Sequence, residues 1–124
     1  MTQREEFSQV LERMCGLDPR YHPEAYTFLL TGLHYTVEKL KRQGHVSGRE
    51  LTEGLREYAL QQYGRMAGTV LAHWGISCTE DFGHIVFNLV EQGLLGKTEQ
   101  DRLDDFKNGF EFKKAFENSC SQEA

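Results

Sequence analysis

Thr79-Glu80-Asp81-Phe82-Gly83-His84-Ile85-Val86-Phe87-Asn88-Leu89-Val90-Glu91-Gln92-Gly93-Leu94-Leu95 is the stretch whose reading decides the fold of this chain. Thr79 is placed as a helix N-cap, with Glu80 and Asp81 in the first turn facing the positive end of the helix dipole. Phe82, Ile85, Val86, Leu89 and Val90 recur at three- and four-residue spacing and define a core face, with Phe87 partly off it. Gly93 is a helix stop, and Leu94-Leu95 predicts a short strand. Just upstream, Arg65–Trp74 carries Met66, Val70, Leu71 and Trp74 on one side, ends at Gly75, and is followed by the tight turn Ile76-Ser77-Cys78. Helix, turn, helix and short strand in that order predict a helix-turn-helix unit running into a wing.

Further upstream, Ser47-Gly48-Arg49-Glu50 is a capping box, and Val46 and Leu51 are spaced as a hydrophobic staple. The helix it opens runs to Gly64 through Leu55, Tyr58 and Ala59. Pro23–Gln43 is the longest predicted helix, with an apolar stripe of Tyr26, Leu29, Leu30, Leu33, Val37 and Leu40 and an expected stop at Gly44. Glu5–Met14 repeats Phe7, Val10, Leu11 and Met14, with Gly16 as its expected end, and Asp18–Pro23 is a rigid linker. Downstream, Thr98–Asp105 predicts a short polar helix, Asn108-Gly109 a turn and Phe110-Glu111-Phe112 a small strand. Phe106, Phe110, Phe112 and Phe116 form a dense apolar set, which predicts that this segment folds back on the helices. The fold class expected is mainly α: a single-domain helical bundle over residues 1–116, with a winged-helix-like C-terminal half, a minor β element near 94–97 and 110–112, and a frayed polar tail at 117–124.

The totals narrow the function classes. A mean hydropathy of -0.58 and 11% aromatic residues describe a globular rather than a disordered chain. No apolar run approaches the ~20 residues that span a bilayer, and Met1–Glu6 leads into no apolar signal core, so the cytoplasm is the expected location. Cys15, Cys78 and Cys120 are widely spaced and without a C-x-x-C pair, as reduced thiols would be. A net charge of -5 argues against nucleic-acid backbone as the main partner.

The DNA-binding reading of 79–92 meets a chemical obstacle. Groove readers use Arg, Lys, Asn and Gln. The expected solvent face here is Glu80, Asp81, Gly83, His84, Asn88, Glu91 and Gln92, and no Lys or Arg lies between Arg65 and Lys97. A scaffold or protein-contact role fits better. The histidines have no metal-ligand spacing; His73, Cys78 and His84 flank one turn, and such clusters are mostly incidental. No catalytic or phosphate-binding motif is present, and neither a metal nor a cofactor is expected. Cys78, beside a helix start, is a candidate for a lowered thiol pKa, weighed against a buried turn thiol. Arg20, Tyr21 and His22 combine a cation, an aromatic ring and an imidazole in the rigid linker, the composition of an interaction surface. The competing reading packs Tyr21 against the second helix and pairs Arg20 with an acid. His84 and Asn88 complete the candidate surface.

His22–Tyr26, His45–Leu51, His73–Ile76, Thr79–Leu95 and Lys97–Glu99 together resemble an uncharacterised bacterial family of conserved hypothetical proteins, represented mainly in planctomycetes and verrucomicrobia, over about residues 4–116. The resemblance implies a bacterial cytosolic protein and no particular chemistry. The function expected is a non-enzymatic protein-interaction or adaptor domain with a protein partner, a homodimer being one form; a winged-helix-like nucleic-acid-binding or regulatory protein is the alternative.

Overall fold

A computed structural model of the chain describes residues 3–41 and 46–95, with side chains from Phe7 onward. The described residues are mainly helical: α1 (Gln3–Leu17), α2 (Pro23–Leu40), α3 (Gly48–Tyr63), a 3-10 turn (Gly64–Met66), α4 (Ala67–His73) and α5 (Thr79–Glu91), with no strand among them. The expected polar helix at 98–105, the strand at 110–112, the folding-back of the phenylalanine-rich segment and the tail at 117–124 lie outside the described residues.

Each boundary has a local cause. At the start of α3 the Ser47 hydroxyl accepts the Glu50 N–H (3.1 Å), and the Glu50 carboxylate accepts the Ser47 N–H (3.0 Å). Val46 and Leu51, spaced as a staple, are both buried. α4 closes at Gly75 (φ 95°), where Ile76 N–H reaches the Leu71 carbonyl (2.9 Å) and Gly75 N–H the Ala72 carbonyl (3.0 Å). This bond pair is a Schellman ending, which needs a left-handed residue and so favours glycine.

Four boundary expectations are corrected. α1 passes through Gly16 to Leu17, because Gly16 takes an ordinary helical conformation and the chain turns only at Asp18-Pro19. α2 ends at Leu40 rather than running to Gln43, with Lys41 in the left-handed region (φ 54°) donating to the Val37 and Glu38 carbonyls. The N-cap of α5 is Cys78, not Thr79; Thr79 is already helical, because the carboxylate that caps the turn comes from Asp81. Leu94 and Leu95 are bends, not a strand: Leu94 N–H returns to the Leu89 carbonyl (2.9 Å) beside Gly93 (φ 78°), so the pair completes a second Schellman ending.

The core joins all of these helices. Met14 of α1, Tyr26 and Leu29 of α2, Leu55 and Ala59 of α3, Leu71 of α4, and Phe82, Ile85 and Leu89 of α5 are all buried in one cluster. The α2–α3 contact is the tightest. A Cβ on Gly54 would lie 1.8 Å from the Thr36 hydroxyl, and one on Gly32 would lie 2.3 Å from Leu55 Cδ2. Thr36 can be buried there because its hydroxyl donates to the Gly32 carbonyl (2.8 Å) within its own helix. A row of rings, Tyr35–Tyr58–Phe28–Trp74–Tyr63, with neighbouring centroids 5.4 to 5.9 Å apart, ties the end of α4 to α2 and α3.

Candidate functional site

The polar chemistry of the described residues concentrates where the 18–22 linker crosses α5. The linker lies directly on the turn before α5. His22 N–H donates to the Trp74 carbonyl (3.1 Å), and the Arg20 carbonyl sits so close to Gly75 that a Cβ there would be 2.0 Å away.

From this position Tyr21 reaches into the core. Its ring is buried, packs edge-on against Tyr26 (6.4 Å), and its hydroxyl donates to Asp81 Oδ1 at 2.5 Å. The other Asp81 oxygen accepts the Ser77 N–H (2.9 Å) and the Cys78 N–H (3.3 Å). One carboxylate therefore caps α5 and anchors a residue 60 positions away. Two helical turns further along α5, Asn88 donates from its amide to Asp18 Oδ2 (2.8 Å) and to the Tyr26 hydroxyl (3.1 Å). Asp18 in turn receives Arg20 through two bonds of 2.7 Å, and the Arg20 guanidinium lies 5.1 Å over the Tyr21 ring.

The electrostatics shift Asp18, Asp81 and Tyr21 away from their ordinary titration ranges. The bonds from Arg20, outweighing partial burial, hold the Asp18 carboxyl well below the usual carboxylate range. Burial alone would raise Asp81, but donors from Ser77, Tyr21 and Cys78 reverse that, so its pKa is lowered. Burial, reinforced by the Asp81 bond and charge, pushes the Tyr21 phenol far above its ordinary value. General acid–base catalysis needs a group that titrates near the working pH. These groups are driven away from it, and their bonds fasten the linker to α5.

The two thiols among the described residues, Cys15 and Cys78, are likewise quiet. Burial pushes Cys78 upward, with the neighbouring Asp81 both lowering and raising it, and burial also raises Cys15. The lowered pKa considered for Cys78 is corrected, because an adjacent carboxylate and partial burial both disfavour a thiolate. His73, Cys78 and His84 form no ligand set, and no group of three or more His, Cys, Asp and Glu side chains able to hold a metal occurs among the described residues. The imidazole beside His73 is His22, 6.3 Å away between ring centroids. His22 Nδ1 accepts the Glu24 N–H (3.1 Å), so in the neutral ring the proton sits on Nε2. Coordination through Nε2 would have to displace that proton or break the cap of α2.

A cleft of about 330 Å³ lies between α2 and α3 beside Thr36, Leu40 and Gly54, rimmed by Arg49, Glu53 and the Lys39–Glu57 ion pair. Its rim carries both signs, Lys39 and Arg49 beside Glu50, Glu53 and Glu57.

The five residues singled out from the sequence are divided by the structure. Tyr21 is in the core; Asn88 and Arg20 join the Asp18 network; His22 is exposed and caps α2; His84 lies half-buried on the outer side of α5. The expected solvent face of α5 is corrected in three places. Asp81 and Asn88 turn toward the linker and Gly83 is buried, whereas Phe87 is 55% exposed. What faces outward, at spacings of four, three and four, is Glu80, His84, Phe87 and Glu91, opposite Phe82, Ile85 and Leu89. Asp81 was readable as a first-turn acid, but nothing local announces its bond to Tyr21.

No helix among the described residues is long and apolar enough to cross a membrane. No family model, curated protein or solved structure matches this sequence.

Proposed function

We propose that this chain is a non-enzymatic, cytosolic protein-interaction domain whose contact surface is the outer face of α5. The succession α4, turn and α5 is read as a helix-turn-helix-like packing unit rather than a groove reader. One observation carries the proposal: α5 turns Asp81 and Asn88 inward and leaves Phe87 more than half exposed on the stripe it turns outward. Fully burying a phenylalanine is worth ~1.5–3 kcal/mol, so a partner that covers Phe87 gains a sizeable part of that. A lone exposed apolar side chain is ordinary; this one sits in the middle of a regular helix face, between half-buried Glu80, whose carboxylate takes a bond from the Cys78 thiol, and exposed Glu91. The same face argues against nucleic acid, since Glu80 and Glu91 would meet a polyanion without one Lys or Arg on the helix.

The experiment is site-specific photo-crosslinking in the native cells. A photoreactive phenylalanine analogue at position 87 should trap a defined protein, or a second copy of the chain, far more than the analogue at exposed Gln61 of α3. Equal yields from the two positions would remove the proposal.

A further inference from the structure

We infer that the outer face of α5 receives a basic amphipathic segment of a partner protein, with an apolar side chain set on Phe87 and cations flanking it; this rests on the interaction reading above. The argument is one of charge complementarity around an exposed apolar centre. Between residues 66 and 95 the acids are Glu80, Asp81 and Glu91, and there is no Lys or Arg. Asp81 is engaged with Tyr21 and the Ser77 and Cys78 amides; half-buried Glu80, which also takes a bond from the Cys78 thiol, and exposed Glu91 bracket Phe87. At a rise of 1.5 Å per residue they stand about 10 Å before it and about 6 Å after it along the helix. A helical partner would match with an apolar residue carrying Lys or Arg about seven positions to one side and four to the other.

The other large apolar side chains exposed among the described residues do not share this setting. Leu40 lies between Lys39 and Lys41 at a cleft that also carries Arg49, Glu50, Glu53 and Glu57, Met66 follows Arg65, and Leu17 lies between Arg13 and the Asp18–Arg20 pair. A basic segment meets both signs of charge at Leu40 and Leu17 and a cation at Met66, whereas the charged side chains on the Phe87 face are both acids. Electrostatic complementarity of this kind sets register and partner choice more than raw affinity. Polyanionic partners, nucleic acid and anionic lipid alike, are disfavoured by the same charges.

The test uses the full chain and two fluorescent helical peptides, one of Leu and Lys and its counterpart with Glu in place of every Lys. Anisotropy should rise with the Lys peptide alone. Phe87→Ala and the double variant E80Q/E91Q should each weaken binding by about tenfold, whereas E12Q/E53Q, with the same charge change on α1 and α3, should bind as the parent does. All the substituted side chains lie outside the core, and circular dichroism checks that each variant is folded. Equal weakening by the two double variants would mean only a general attraction to an acidic protein, and binding of the Glu peptide would be as damaging; either result overturns the inference. So would NMR contacts in the free protein between the Phe87 ring and a second copy, or residues 96–124, because the face would then already be occupied. If the peptides fail while the crosslink at position 87 succeeds, the basic chemistry is wrong and the contact surface stands; if both fail, the interaction reading falls too.

Discussion

Removing one oxygen atom tests the fastening of the linker. In Tyr21→Phe the buried ring keeps its volume and its edge-on contact with Tyr26, and only the 2.5 Å bond to Asp81 disappears. A hydrogen bond to a charged group contributes ~1.5–3 kcal/mol. Asp81 keeps the Ser77 and Cys78 amides, so the loss should sit near the low end, about 2 kcal/mol, in urea unfolding with an unchanged slope. A cycle with Asp81→Asn should show coupling of at least ~1 kcal/mol, since contacting partners are not additive. The pH profile carries the sign. Asp81 and Asp18 have lowered folded pKa values, so their contributions are present above the unfolded value of about 3.9 and are lost as the pH falls through the folded values. Tyr21 has a raised folded pKa, so its contribution is complete below about 10 and drains away as the pH climbs from there toward the folded value. The phenylalanine variant should lose less stability than the parent at both extremes. A change under ~0.5 kcal/mol with no coupling and an unaltered pH profile would refute the reasoning, since surface-like bonds are worth that little.

Glycine substitutions should divide by position. Gly54→Ala drives its Cβ into Thr36 and should cost at least ~1–3 kcal/mol by thermal unfolding, whereas Gly16→Ala, in open helical space, should stabilise by ~0.5–1 kcal/mol. His22→Ala removes the acceptor for Glu24 N–H and should cost ~0.5–2 kcal/mol in the same assay, with His22→Asn restoring much of it because asparagine also caps. Cys78, raised rather than lowered, should react with a disulfide reagent at neutral pH no faster than a free cysteine; a rate well above that would contradict its assigned environment.

What could be read from the sequence was what local chemistry decides. The Ser47–Glu50 box needs only residues three apart, the endings at Gly75 and Gly93 need only a left-handed position, and the faces of α2, α3 and α5 follow from a 3.6-residue period. The places where sequence misled are also physical. Gly16 reads as a stop because glycine is a poor helix former, yet the penalty is small enough for packing of α1 through Met14 to outweigh it. Leu94-Leu95 looked like a strand because an apolar pair carries no period of its own. Asp81 and Asn88 read as solvent-facing because periodicity separates apolar from polar positions, and cannot say that a polar edge meets a second polar segment. Their partners, Tyr21 and Asp18, lie 60 and 70 residues away, across a linker that has no periodicity.

α5 has two polar edges of opposite fate, one bonded to the linker and one, centred on Phe87, that we propose meets a partner. Oxidative footprinting of the free protein with hydroxyl radicals, read by mass spectrometry, measures both at once. The account predicts rapid oxidation of Phe87 and strong protection of Tyr21, Tyr26 and Phe82. Reactivity of Tyr21 comparable to that of Phe87, or protection of Phe87 at every concentration, would contradict it.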